Sequence, residues 1–175
     1  KKIVKIYNIN CKIVDTNIHV SDELNRLVRS IKLDNDFSSY SNNDKKKDLI
    51  DLIYKTQYKR FLDTISVFID IKKLERFDIS DCWVQKYKNK KHCLHVHGTD
   101  NSKLSFVWYV DASNKSSPIL FYNPGFPYND FWAKEIYPKK NKFLMFNSYI
   151  PHEVAYNEDN DRMVLSGNID LIWQK

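Results

Sequence analysis

From residue 78 onwards the sequence is a series of short β-forming segments separated by turn-forming residues. In 104–110, Leu104, Phe106 and Trp108 fall on one face of a predicted strand, and the residues between them fall on the other. About eight such strands are predicted, and many short strands with turns between them favour an antiparallel jelly roll. The last strand is predicted over 162–172.

The first 77 residues show helical periodicity instead. Ser21 is a predicted N-cap, followed by acidic residues in the first turn of a helix over 22–31. A longer helical stretch, broken in two or continuous, is predicted over 45–73. It carries an apolar stripe that should pack against a sheet, formed by Tyr58, Phe61, Ile65 and Phe68.

The length and composition favour one globular domain. The chain has 175 residues, and 42% of them are hydrophobic, which is enough for a sizeable core. We predict a single domain over 1–175, with a mostly helical support region in 1–77 and a β core in 78–175. The predicted fold class is α+β: an antiparallel jelly roll with the N-terminal helices packed on its sheet.

Charge and cysteine usage limit the partners that we expect. The net charge of +6 comes from short, scattered lysine runs, which does not favour nucleic acid as a partner. No apolar run reaches the length of a membrane span, so we expect no membrane association. The three cysteines show no C-x-x-C spacing, which fits reduced thiols and a cytoplasmic location (the host cytoplasm if the protein is viral). No motif specifies the oligomeric state or the substrate, whether a small molecule or a peptide.

Three histidines and one arginine are the candidate site residues. His95 and His97 are two apart in a predicted strand, so both side chains leave the same face. His152 lies in a later strand, and Arg162 follows it by ten residues. Imidazoles on the inner wall of an all-β unit can bind a metal ion, and a guanidinium can bind a carboxylate through two parallel hydrogen bonds.

We expect His152 and Arg162 to lie on the two arms of one hairpin, closed by the turn 157–161. His152 would then lie opposite Ser166, and Arg162 opposite Tyr156. About four residues of strand would separate the two levels by about 13 Å. Such a pocket suits a short ligand with a chelating head and a carboxylate tail.

An ordered set of motifs resembles the Fe(II)/2-oxoglutarate-dependent oxygenases, in particular the small oxygenases of marine bacteria and their phages. The resemblance covers roughly residues 79–172. The matching segments are Q-K-Y at 85–87, H-x-H at 95–97, L-S-x-V-x-Y-V at 104–110, I-x-F-x-N-P at 119–124, F-N-S-Y-I-P-H-x-V at 146–154 and R-x-x-x-S-x-N-I at 162–169.

The resemblance implies a double-stranded β-helix, a cupin-like jelly roll, that holds Fe(II) and 2-oxoglutarate. His95 and His152 would be metal ligands, and Arg162 would pair with the far carboxylate of 2-oxoglutarate. The implied activity is a dioxygenase that hydroxylates its substrate and converts 2-oxoglutarate to succinate. Further candidate residues for cosubstrate binding are Ser166, Tyr87, Tyr109 and Asn168. A loop over 122–134, with Phe126, Tyr128, Phe131 and Trp132, is a candidate substrate lid.

The sequence departs from the family pattern at the third metal ligand. The family motif is His-x-Asp or His-x-Glu, whereas this chain has His97 in the third position. Three arrangements follow: a three-histidine site, a two-histidine site with water, or Asp100 entering from the turn. We favour His97, with Asp100 as the alternative ligand. The missing carboxylate also motivates an alternative function, a catalytically inactive jelly-roll module for binding or for a virion structure.

Overall fold

The computed structural model describes residues 11–41, 45–100, 102–125, 133–158 and 161–174. The candidate lid residues Phe126, Tyr128, Phe131 and Trp132 lie outside these ranges. The helices are α1 (Asp22–Arg29) and α2 (Lys46–Ile65), and a short 3-10 turn covers Ile71–Lys73. The strands are β1 (Ile13–Asn17), β2 (Leu74–Tyr87), β3 (Lys90–His95), β4 (Lys103–Asp111), β5 (Ile119–Tyr122), β6 (Ala133–Ile136), β7 (Lys142–Asn147), β8 (His152–Asn157) and β9 (Arg162–Trp173).

The strands form two antiparallel sheets. One sheet has the order β1-β7-β4-β9-β2, and the other has the order β3-β8-β5-β6. A buried cluster joins side chains of both sheets, among them Val107, Phe146 and Val164 from the first and Phe121 and Val154 from the second. The predicted α+β jelly roll is therefore confirmed.

The helices cover the other face of the five-stranded sheet. Ser21 caps α1 as predicted, since its hydroxyl accepts a 3.2 Å hydrogen bond from the Leu24 backbone N–H. In α2, Phe61 and Ile65 are fully buried, and the Phe61 ring lies 5.2 Å from Phe106 of β4. α2 ends at Ile65, earlier than predicted, because the chain then turns into β2, which begins at Leu74.

The alternation predicted for β4 is confirmed by the two cores. One core lies between the helices and the five-stranded sheet, and it contains Leu104, Phe106 and Trp108. The other core lies between the two sheets, and it contains Val107 and Tyr109. None of the described helices is both long enough and apolar enough to cross a membrane.

The predicted hairpin between β8 and β9 is wrong. β8 pairs with β3 and β5 in the four-stranded sheet, and β9 pairs with β2 and β4 in the five-stranded sheet. The short segment after β8 therefore crosses from one sheet to the other. As a result, His152 lies opposite His95 and Phe121, and Arg162 lies opposite Tyr87.

Candidate metal centre

Three imidazoles converge at the edge of the four-stranded sheet. His95 ends β3 and pairs across the sheet with His152 at the start of β8, which brings their ring centroids to 4.3 Å. His97, two residues beyond β3, lies 4.8 Å from His95 and 5.1 Å from His152 by ring centroids. One ring nitrogen from each histidine lies within 4.8 Å of the others, so the triad is positioned to hold a metal ion.

Backbone carbonyls orient two of these rings. The Nδ1 atom of His95 lies 2.7 Å from the Cys93 carbonyl oxygen, and Nδ1 of His152 lies 2.9 Å from the Ile150 carbonyl oxygen. A carbonyl oxygen can only accept, so Nδ1 carries the proton in both rings and Nε2 keeps its lone pair. The Nε2 atom of His95 is buried without a hydrogen-bond partner among the described residues, as a metal ligand would be in the absence of its ion.

The surroundings of His152 and His97 favour the neutral imidazole. Burial, reinforced by the neighbouring imidazoles, lowers the pKa of His152 to about 3, and the aromatic rings of Phe121 and Phe146 lie 5.7 and 4.9 Å from its ring. Burial likewise lowers the pKa of His97 to about 4. A neutral imidazole is the form that binds a metal, so these groups are ready to act as ligands at neutral pH.

Arg162 lies in the same cleft, between the two sheets, and its side chain is buried. Its guanidinium carbon lies 4.6 Å from the ring centre of Tyr87 and 5.4 Å from that of Tyr109. One terminal nitrogen donates to the Ser117 carbonyl, while Nε is buried without a partner. Across the described residues, no carboxylate forms a salt bridge with Arg162. A buried cation with an unused donor fits an anionic ligand that the site would bind.

The cleft is narrow, with a cavity volume of about 20 Å³. It is lined by the three histidines, Arg162 and Ser166, and no aspartate or glutamate lines it among the described residues. The site thus joins a metal-binding group of imidazoles to a buried cation, in a cleft that contains no negative side chain.

Comparison with known proteins gives matches to solved structures alone: no family model matches the chain, and no curated protein matches it. An oxidoreductase of the 2OG-Fe(II) oxygenase family from Burkholderia pseudomallei matches with a TM-score of 0.54 and 15% identity, over 71% of this chain and 57% of that one. HygX from Streptomyces hygroscopicus, solved with nickel and 2-oxoglutarate bound, matches with a TM-score of 0.57 and 9% identity, over 90% and 81% of the two chains. A prolyl-4-hydroxylase from Pseudomonas putida matches with a TM-score of 0.57 and 12% identity, over 92% and 93%.

This chain has the fold of the 2OG-Fe(II) oxygenases. At 15% identity or less the likeness concerns the fold, and it does not assign a substrate. Within the oxygenase fold, the chain spans 57% of the length of the Burkholderia protein and most of the other two.

Three of the predicted site residues lie outside the lining of the cleft: Tyr109, Asp100 and Asn168. Tyr109 is fully buried, with its ring beside the guanidinium of Arg162. Asp100 is exposed, and its carboxylate accepts hydrogen bonds from the backbone N–H and the hydroxyl of Ser102, at 2.8 and 2.5 Å. It is not part of the group of ligand atoms that converge. Asn168 accepts a 2.9 Å hydrogen bond from Ser105, which holds it within the five-stranded sheet. The structure therefore gives Asp100 a role in the turn, where it stabilises the chain between β3 and β4.

His92 is a residue of the site that sequence patterns miss. It lines the cleft, and its ring centroid lies 4.1 Å from that of His95. Strict alternation along β3 would put residues 92 and 95 on opposite faces. However, His92 pairs with Val154 and His95 with His152, so β3 uses three residues where β8 uses two. This bulge turns His92 to the inner face.

Proposed function

We propose that this protein is an Fe(II)- and 2-oxoglutarate-dependent dioxygenase that hydroxylates a small-molecule or peptide substrate in the cytoplasm. The observation that carries the proposal is the placement of three imidazoles and one buried guanidinium in a single cleft of the oxygenase fold. His95, His97 and His152 would bind the metal. Arg162 would pair with the far carboxylate of 2-oxoglutarate.

The chain's own residues would bind and orient the cosubstrate. When bound, Fe(II) together with 2-oxoglutarate and oxygen supplies the oxidising chemistry that releases succinate and hydroxylates a C–H bond. The Tyr87 and Tyr109 rings hold the guanidinium of Arg162 in place, and the buried Tyr109 hydroxyl has no partner among the described residues. Ser166, which lines the cleft, is available to a carboxylate beside Arg162.

The apolar side chains packed against His152 would exclude water from the metal. Phe121 and Phe146 pack against His152, and both rings are fully buried. The low polarity beside His152 would strengthen the bonds between a bound metal and its ligands, and it would limit side reactions with water.

The experiment is a turnover assay with the purified chain, Fe(II), ascorbate and 2-oxoglutarate, read out as succinate. Uncoupled turnover needs no substrate, so the unknown substrate does not prevent the test. We expect succinate that depends on added iron and disappears in a His152→Ala variant. Absence of iron-dependent succinate from a chain that binds Ni(II) would count against the dioxygenase.

One observation favours the alternative of an inactive jelly-roll binding module. His97 stands where the family has a carboxylate, and no acidic side chain replaces it in the described part of the cleft. An inactive module would give no succinate at any iron concentration. Calorimetry with Fe(II), Mn(II) and Ni(II) would then separate a module that still binds metal from one that has lost the site.

A further inference from the structure

Tyr87 and His92 are two of the residues that line the cleft together with the histidine triad and Arg162. Tyr87 lies opposite Arg162 in the pairing of β2 with β9, and the guanidinium covers its ring. The Tyr87 hydroxyl lies 3.3 Å from Nδ1 of His92. On its other side, the His92 ring contacts that of His95. His92 therefore lies between His95 of the metal site and the tyrosine that Arg162 covers.

The position of the His92 ring is fixed by its neighbours. The Phe37 ring meets His92 edge-on at 6.2 Å and Tyr87 edge-on at 5.2 Å. Phe37 is itself held by the sheet, since its carbonyl accepts a 2.8 Å hydrogen bond from the Lys86 backbone N–H. Nδ1 faces Tyr87, so Nε2 is the remaining polar atom of the ring. It has no hydrogen-bond partner within the described part of the chain.

We propose that His92 binds the cosubstrate dianion, donating a hydrogen bond from Nε2–H to a carboxylate of 2-oxoglutarate between the metal and Arg162. The inference rests on the proposed function, and it adds a binding residue that the family motifs do not contain. A neutral donor fixed in the wall would orient the dianion without adding charge beside the metal.

The hydrogen-bond chain behind His92 can supply this donor. A proton on Nε2 requires Nδ1 to accept from the Tyr87 hydroxyl. In the structure the Tyr87 hydroxyl donates to Oε1 of the buried Gln85 at 3.3 Å. When the Gln85 amide turns over, the tyrosine oxygen accepts from the amide nitrogen instead, and the hydroxyl proton is then donated to Nδ1 of His92. The heavy atoms stay in place, because the oxygen and nitrogen of a glutamine amide exchange positions when the group turns over. Tyr87 and Gln85 thus set which nitrogen of His92 carries the proton.

The test measures binding of 2-oxoglutarate to the Ni(II)-loaded chain by titration calorimetry. The variants are His92→Phe, which keeps a planar ring, and His92→Gln, which keeps an N–H near the position of Nε2. His19→Phe is the matched control, because His19 is exposed and lies outside the cleft. Affinity for Ni(II) and the far-ultraviolet circular dichroism spectrum are recorded for each variant.

We expect His92→Phe to weaken 2-oxoglutarate binding by about tenfold or more, the lower end for a hydrogen bond to a charged group. Binding of Ni(II) should not change, His92→Gln should recover most of the affinity, and His19→Phe should match the parent. Tyr87→Phe keeps the ring beside Arg162 and removes the hydroxyl that orients His92, so it should weaken 2-oxoglutarate in the same direction.

The outcomes separate this inference from the proposed function. If the parent binds Ni(II) and 2-oxoglutarate and His92→Phe binds 2-oxoglutarate equally well, the role of His92 is wrong and the dioxygenase stands. A loss of Ni(II) binding in His92→Phe would also overturn the inference, since His92 would then act on the metal site. If the parent binds Ni(II) but no 2-oxoglutarate, the proposed function fails and this inference fails with it.

Discussion

Replacing Arg162 by methionine should raise the stability of the metal-free chain and abolish tight binding of 2-oxoglutarate. Arg162 is 1% exposed, and no described carboxylate neutralises it. Burying a guanidinium costs several kcal/mol after relaxation of the protein. Methionine has a similar shape, keeps the contacts with Tyr87 and Tyr109, and carries no charge. Stability and binding should therefore change in opposite directions.

The magnitude follows from the contacts of the guanidinium. Cation–π attraction to each of the two tyrosine rings stabilises the buried guanidinium by about 0.5–2 kcal/mol. The hydrogen bond to the Ser117 carbonyl stabilises the folded chain by about 1.5–3 kcal/mol. In the methionine variant this carbonyl is left unpaired, which costs about 1–3 kcal/mol. Substitution of a buried ionic group by a hydrophobic one of similar volume is often neutral or stabilising by about 1–4 kcal/mol. Because the contacts of the guanidinium offset most of the cost of burying it, we expect a gain in the free energy of unfolding near the low end of this range, about 1 kcal/mol.

The loss in binding should be larger. Truncating one partner of a buried, hydrogen-bonded charge pair costs about 2–5 kcal/mol, much of it from the charge left unpaired. For 2-oxoglutarate this corresponds to a loss of affinity of about thirtyfold or more. Arg162→Lys keeps the charge but not the planar pair of donors, so it should lose affinity without the gain in stability.

The assay is urea unfolding of the metal-free chain, followed by tryptophan fluorescence, with 2-oxoglutarate calorimetry on the Ni(II)-loaded chain. Arg29→Met is the control, since Arg29 forms an exposed salt bridge to Asp111 at 2.7 Å that should contribute about 0–1 kcal/mol. A loss of more than about 3 kcal/mol in Arg162→Met would refute the reasoning, because it exceeds the largest net contribution expected of the hydrogen bond to Ser117. Arg162 would then be a structural residue of the core.

Three further predictions concern the third ligand, pH and packing. His97→Ala should lower Ni(II) affinity by about tenfold or more, whereas Asp100→Ala should leave it unchanged by calorimetry; the reverse would show that Asp100 is the ligand. In the folded chain the pKa of His152 is lowered to about 3. As the pH falls below about 6.5, this imidazole therefore takes up a proton in the unfolded chain but not in the folded chain. Urea midpoints of the metal-free chain should therefore fall with decreasing pH, and less steeply in His152→Gln; equal slopes would contradict the assignment. Gly167→Ala should cost about 1–3 kcal/mol, because its Cβ would lie 2.5 Å from the Asp81 carbonyl oxygen and 2.6 Å from the Phe106 ring. Gly98→Ala is the control, with a flexible Lys103 carbon at 3.2 Å as its nearest neighbour, and equal losses of stability in the two variants would contradict this account.

Local patterns predicted those parts of the fold that depend on local chemistry. Ser21 caps α1 because a hydroxyl at that position can accept from a free backbone N–H of the first turn. The alternation of Phe106 and Val107 between two cores follows from the geometry of any strand. These features need no knowledge of which segments meet in space.

Pairing between strands could not be predicted in the same way. The turn after β8 has the composition of a hairpin turn, and nothing in the sequence distinguishes it from a crossing between sheets. His152 faces His95 because β8 joins β3, a contact between residues 57 positions apart. The bulge that turns His92 inwards is likewise set by the partner strand, since it is a mismatch between β3 and β8.

The exchange of a carboxylate for His97 alters the charge of the whole site. Three imidazole ligands carry no negative charge, so they leave the two positive charges of a divalent metal uncompensated, and Arg162 adds a third positive charge without a described acidic partner. A dianion that touches both ends neutralises two of these charges, whereas a monoanion can satisfy the metal or the guanidinium but not both. The cleft therefore favours a dicarboxylate over a simple acid, and it does so more strongly than a site with a carboxylate ligand would. A neutral donor such as His92 between the two ends is consistent with this balance, because a further cation there would be repelled by both.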